Sequence, residues 1–238
     1  MSLWFVAAAV AYFIKGMCGF ANTLVFTSIL SFGNANSNIS PIDLLLGYPA
    51  NLILTWENRK ALDPKVYVPL AALVLAGSIP GALLLKRVDA AAIKVVFGAV
   101  VIVLGIEMLL REYRNMKSKS SKPVLAVIGV LSGMLCGLFG VGALLAAYVS
   151  RVTEDSESFK ANISAVFIVD NTFRIILYSC LHLLTFQTIK MSLLLIPFAL
   201  FGLMAGILCS RKMDDKLVRK CTVILLVISG VSLILKNL

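Results

Sequence analysis

The sequence has few charged residues and almost no histidine. Of its 238 residues, 14% are charged, one is a histidine and 60% are hydrophobic, and the mean hydropathy is +0.96. A single soluble core of this size cannot hide so much apolar surface, which excludes an ordinary soluble domain. One histidine, His182 at the end of an apolar segment, supplies neither a catalytic base nor a metal cluster, so an intramembrane enzyme is disfavoured. No Walker A pattern is present, which argues against ATP hydrolysis.

The five cysteines also exclude two classes of site. They lie in or beside apolar segments and show no C-x-x-C spacing. Neither a disulfide framework nor a zinc site is therefore expected, and no cofactor is predicted. The amino terminus lacks the basic region and the cleavage site of a secretory signal, so we expect it to belong to the mature protein.

Long apolar stretches dominate what is present. Segments 66–85, 90–110, 192–209 and 221–235 approach or reach the roughly 20 residues that a helix needs to cross about 30 Å of hydrocarbon. The sequence therefore predicts an all-α polytopic membrane protein.

The second half of the sequence repeats the first. Segment 15–25 aligns with 136–146 at a shift of 121 residues, and segment 77–89 aligns with 202–214 at a shift of 125. Each half has one glycine-broken segment followed by three apolar segments, and the Gly-x-x-x-Gly pairs of each third segment are expected only to pack helices closely. The predicted first repeat (1–114) contains a hairpin at 3–32 and helices at about 41–58, 66–86 and 89–111. A basic linker at 115–122 follows. The predicted second repeat (123–238) contains a hairpin at 123–150 and helices at about 159–184, 190–210 and 214–236.

The distribution of cations favours re-entrant hairpins over simple spans. Eight simple spans in two four-helix repeats, the alternative, divide the 20 cations at segment ends 10 against 10, which violates the positive-inside rule. If segment 124–149 returns to its own side, the division becomes 15 against 5. By analogy the repeat extends the hairpin to 3–32, and the two halves are then inverted repeats. This arrangement predicts a plasma-membrane protein whose loops at 59–65, 111–122, 151–160 and 211–220 are cytoplasmic.

The stretch "KGMCGFAN" (15–22) predicts an anion site at the first break. A returning half-helix presents unpaired N–H groups and a positive dipole end, and glycine lets an anion approach the backbone. Lys15 adds a full charge. Tight helix packing is the alternative for the glycines, and a side chain that extends to the membrane surface is the alternative for Lys15.

The segment "FIVDNTFRIIL" (167–177) predicts a second polar group. Asp170 and Arg174 are four residues apart on one helix face, where they can form a structural pair or a functional one. Asn51 and Asn171 align at a shift of 120 and are expected to face each other. The predicted substrate-binding residues are Lys15, Gly16, Gly19, Phe20, Asn22, Thr23, Asn51, Gly137, Gly140, Gly142, Asp170, Asn171 and Arg174.

These motifs resemble those of a known family. The strings "GLFGVGALL" (137–145) and "KGMCGFANTLV" (15–25), the duplication and the length are similar to the TauE/SafE family of membrane permeases. Ala143 replaces the last glycine of the family's second-half motif. The resemblance implies transport of sulfur-containing anions such as sulfite or organosulfonates.

The sequence thus predicts a secondary transporter of a small anion that works by alternating access. An anion channel is the alternative, and an intramembrane enzyme is a less favoured one. The expected partners are the anion, the lipid bilayer and a coupling ion, either a proton or sodium. Nucleic acid is not an expected partner, and the sequence leaves open whether the chain forms a homo-oligomer.

Overall fold

The described part of the chain is helical. The computed structural model describes residues 2–30, 36–84, 99, 102–103, 106, 126–127, 129–134, 142–180, 182 and 184–235. The helices are α1 (Ser2–Cys18), α2 (Asn22–Leu30), α3 (Asn36–Glu57), α4 (Pro64–Leu84), α5 (Ala143–Val152), α6 (Ser156–Cys180), α7 (Phe186–Arg211) and α8 (Asp215–Leu235), with a 3-10 turn at Arg59–Ala61. These residues contain no strand, which confirms the all-α prediction. The basic linker 115–122 and most of the predicted helix 89–111 lie outside the described residues.

The first apolar segment breaks where its glycines lie. α1 ends at Cys18 and α2 begins at Asn22. Gly19 has a φ of +87°, a conformation that glycine adopts without steric cost, and its N–H donates to the Lys15 carbonyl at 2.6 Å. Ala21 also has a positive φ, +73°. α2 packs back against α1, and its nine residues span only about 13 Å.

Close helix contacts join the first hairpin to the second half of the chain. A Cβ on Gly202 or Gly206 of α7 would collide with the α1 backbone, at the carbonyl oxygens of Ala9 and Phe13. In the same interface, a Cβ on Gly16 would collide with the carbonyl oxygen of Leu203. Small residues allow helices to approach this closely. The packing role predicted for the Gly-x-x-x-Gly pair of α7 is confirmed.

α4 makes the matching contact with the second half. A Cβ on Gly77 would collide with the carbonyl oxygen of Val130, which lies in the helical stretch 129–134. Gly77 and Gly202 align at the shift of 125, and Ala9 and Val130 align at the shift of 121. The two contacts therefore join corresponding residues of the two halves.

Several large apolar side chains are exposed, whereas several charged side chains are buried. Phe186, Phe201 and Trp56 are 83%, 75% and 70% exposed, whereas Lys15 and Asp170 are 2% and 1% exposed. Of the described helices, α6 and α7 are long and apolar enough to cross a membrane. This distribution is typical of a protein that is surrounded by lipid.

Candidate functional site

A polar cavity lies where α1, α2, α3 and α6 meet the start of α5. Its volume is about 30 Å³, which is room for roughly two waters. Nine of the thirteen predicted binding residues line it, namely Lys15, Phe20, Asn22, Thr23, Asn51, Gly142, Asp170, Asn171 and Arg174. The helix break thus lies at the same place as the buried charges of both halves.

Two described residues of the predicted set are not in the cavity lining, and two others are not described. Gly16 packs on α7, as described above, and Gly19 lies against Phe159 and Lys160 of α6. Gly137 and Gly140 lie outside the described residues. The neighbours of Gly16 and Gly19 favour a role in helix packing for both glycines.

Lys160 itself is not at the protein surface. Sequence reasoning placed it among the cations at segment ends, but its side chain is 6% exposed. Its Nζ donates to the Ser210 hydroxyl of α7 at 2.8 Å. Lys160 therefore links α6 to α7 by a hydrogen bond.

Lys15 places its ammonium inside the protein. Nζ donates to Oδ1 of Asn22 at 2.9 Å and lies 5.3 Å from the ring centroid of Phe167, within the range of a cation–π contact. Because α1 ends at Cys18 and α2 begins at Asn22, the break itself brings these two polar side chains together. The ammonium thus faces the cavity rather than a membrane surface.

Asp43 of α3 is a cavity residue that the sequence reasoning missed. Its carboxylate accepts hydrogen bonds from Tyr12 Oη at 2.9 Å, Asn22 Nδ2 at 3.1 Å and Thr23 Oγ1 at 2.6 Å. The charges of Asp43 and Lys15 attract each other across this network. A signal was present: Asp43 is a carboxylate inside the apolar segment 41–58, the same feature that identified Asp170.

The second-half charges have partners on other helices. Asp170 accepts a hydrogen bond from Ser78 Oγ of α4 at 2.8 Å. Arg174 Nη2 donates to Tyr178 Oη at 2.9 Å and to Ser40 Oγ at 3.3 Å. The positive charge of Arg174 also acts on the Asp170 carboxylate. Both residues are thus held in place by neighbours from either half of the chain.

Two helix amino termini and one unpaired amide also face the cavity. α2 begins at Asn22, and α5 begins after Gly142, whose position has no side-chain cap. Helix amino termini carry unpaired N–H groups and partial positive charge. The Asn51 carboxamide oxygen is buried without a hydrogen-bond partner among the described residues. Since an amide can turn to present its NH₂ group, Asn51 is available to a ligand of either polarity.

The cavity contains groups that can bind a small anion. Lys15 and Arg174 supply positive charge, and the helix termini supply N–H groups. Within the described ranges, no group of three histidine, cysteine or acidic side chains is placed to hold a metal ion.

Comparison with known proteins identifies one family. The family model described as "Sulfite exporter TauE/SafE" matches residues 4–233, nearly the whole chain. No curated protein and no solved structure matches the chain.

Proposed function

The chain belongs to the sulfite exporter TauE/SafE family of membrane transporters, and from this premise we propose that it is a secondary transporter of a small sulfur-containing anion. Sulfite or an organosulfonate would bind in the cavity beside Lys15. The observation that carries the proposal is the burial of this lysine, 2% exposed, at the break between α1 and α2.

The other cavity groups support an anion as the ligand. A sulfite or sulfonate group has three oxygens that accept hydrogen bonds, and the cavity offers donors from several directions: the Lys15 ammonium, the amino termini of α2 and α5, and the Asn51 amide. Buried charges in a membrane protein disfavour folding unless they are paired or functional. The cavity volume of about 30 Å³ favours a compact anion in this conformation.

The helix arrangement supports two inverted repeats and alternating access. α2 spans about 13 Å, less than half of the roughly 30 Å hydrocarbon thickness, as expected for a re-entrant half-helix. The contact of Gly77 with Val130 repeats that of Gly202 with Ala9. The first hairpin thus packs on α7, and the helical stretch 129–134, which belongs to the proposed second hairpin, packs on α4. Rocking of these units around a central site is a common transport mechanism.

The proposed orientation puts the α3–α4 and α7–α8 connections in the cytoplasm. Arg211 at the end of α7 forms an ion pair with Glu57 at the end of α3, so the two connections lie on the same side. Trp56 is 70% exposed and lies under the Arg59 guanidinium, a pairing that suits the membrane interface. The plasma membrane is the proposed location.

Counterflow in proteoliposomes tests the proposal. Vesicles loaded with unlabelled sulfite should take up labelled sulfite faster than empty vesicles, with a rate that saturates. Taurine, sulfoacetate and methanesulfonate should be compared as competitors. A flux without saturation or counterflow would indicate a channel, and no flux of any of these anions would overturn the proposed function.

A further inference from the structure

The formal charges of the cavity cancel when it is empty. Among the described residues that line it, Lys15 and Arg174 are cations and Asp43 and Asp170 are carboxylates. An added anion therefore leaves an uncompensated negative charge in a buried site, which is strongly unfavourable in a medium of low dielectric constant. Binding of an anion should draw in one positive charge.

The two carboxylates differ in how well their charged forms are stabilised. Asp43 accepts hydrogen bonds from three side chains, on α1 and α2. Among the described residues, the Ser78 hydroxyl is the one hydrogen-bond donor to Asp170. The single donor leaves acceptor positions of the Asp170 carboxylate free, so Asp170 is the carboxylate that we consider for proton binding.

Ser78 is placed to serve either protonation state of Asp170. Its Oγ lies 2.8 Å from Asp170 Oδ1 and 3.0 Å from the carbonyl oxygen of Gly133. A hydroxyl has one proton to donate and can also accept. When Asp170 is ionised, Ser78 donates to it. When Asp170 is protonated, its O–H can donate to Ser78, whose own proton turns to Gly133, and no heavy atom needs to move.

We propose that Asp170 binds a proton together with the transported anion, so that the protein couples anion transport to proton transport. The inference depends on the proposed function. A proton from water forms an O–H bond on the Asp170 carboxylate, the cavity gains one net positive charge, and a monoanion then restores neutrality. On release, the anion leaves and the O–H bond breaks to return the proton to water on the same side.

The other charged groups around Asp170 are fixed by hydrogen bonds. α1 contributes Lys15, held by Asn22, and α3 contributes Asp43, held in part by Tyr12. Arg174 of α6 is hydrogen-bonded to Tyr178 on the same helix. α4 contributes the neutral Ser78, and Gly142 at the start of α5 carries no charge. Lys15 is the group whose titration could imitate that of Asp170, because loss of its proton at high pH would also weaken anion binding.

Methanesulfonate is the probe that separates these possibilities, because it does not titrate near neutral pH as sulfite does. Its affinity for purified wild-type protein should fall about tenfold per pH unit above the pH at which Asp170 loses its proton. Each bound methanesulfonate should take up one proton from a weakly buffered solution. Difference infrared spectra should show the carbonyl stretch of a newly protonated carboxylic acid, a signal that protonation of a lysine does not produce.

Two variants assign the signal to a residue. Asp170→Asn mimics the protonated form. Its affinity for methanesulfonate should not vary with pH below the pH at which Lys15 loses its proton, and its difference spectra should lack the infrared band. Glu154→Gln, which removes an exposed carboxylate that is not part of the cavity lining, should keep the wild-type pH slope. If Asp170→Asn does not fold, the wild-type infrared band and proton count still test whether a carboxylic acid takes up the proton, and absence of either signal overturns the inference.

The outcomes are distinct. Binding of equal affinity at every pH in the wild type overturns the inference and leaves the proposed function intact. A slope that persists in Asp170→Asn, or an affinity that depends on sodium instead of pH, also overturns it. Absence of binding by sulfite and methanesulfonate at all pH values overturns the proposed function and the inference with it.

Discussion

Replacing Lys15 by glutamine removes the buried ammonium of the cavity while keeping a side-chain amide in its place. The ammonium donates to Asn22 Oδ1 at 2.9 Å, and an amide N–H can take over that contact. Asp43 keeps its three donors, including Tyr12 and Thr23, so the change leaves no carboxylate without partners. The cavity then carries one uncompensated negative charge, so we expect the variant to fold but to lose up to about 3–5 kcal/mol of unfolding free energy, as when one partner of a buried charge pair is removed.

Loss of the ammonium should also weaken anion binding. A hydrogen bond to a charged group contributes about 1.5–3 kcal/mol, and each 1.4 kcal/mol is about a factor of ten in Kd. The Kd for sulfite should therefore rise roughly 10- to 150-fold in Lys15→Gln.

A thermal-shift titration in detergent can measure this difference. At a sulfite concentration of about 100 times the wild-type Kd, binding stabilises the wild type by about 2.7 kcal/mol. A variant with a 100-fold higher Kd would gain only about 0.4 kcal/mol at the same concentration. Lys65→Gln, which changes an exposed lysine, is the matched control and should respond like the wild type. An equal response of Lys15→Gln and the wild type would refute Lys15 as an anion ligand.

Three further outcomes are expected. Single cysteines at Ser120 and Ser156, in a cysteine-free background, should react alike with an impermeant maleimide, and labelling from opposite faces would exclude the second hairpin. Gly206→Val should destabilise the protein by about 1–3 kcal/mol or more, because the new Cβ would meet the α1 backbone. The control Ala205→Val, on the same helix, should lower Tm less, and equal Tm values for the two variants would contradict the close packing. Asn51→Leu should raise Tm because it removes a buried amide oxygen that has no hydrogen-bond partner among the described residues, yet it should weaken sulfite binding; unchanged binding would remove Asn51 from the site.

Local features of the sequence predicted much of the helix pattern. The break at Gly19 was predictable from the sequence because glycine and its neighbours interrupt an apolar segment, and helix propensity depends on residues close in sequence. Three polar side chains of the cavity were predictable for a similar reason. Lys15, Asp170 and Arg174 are charged residues within apolar segments, where a charge is unfavourable unless it has a role. Asp43 carried the same signal and could have been found by it.

The partners of these residues could not be read from the chain. Ser78 donates to Asp170 across 92 positions, and Gly16 meets Leu203 of α7 instead of a ligand. Such pairs depend on how helices from the two halves pack, and no local propensity encodes that packing. The sequence by itself determined the helices, the first break and which buried groups are charged. Only the tertiary structure decided which of them share one cavity, because their proximity results from contacts between distant segments.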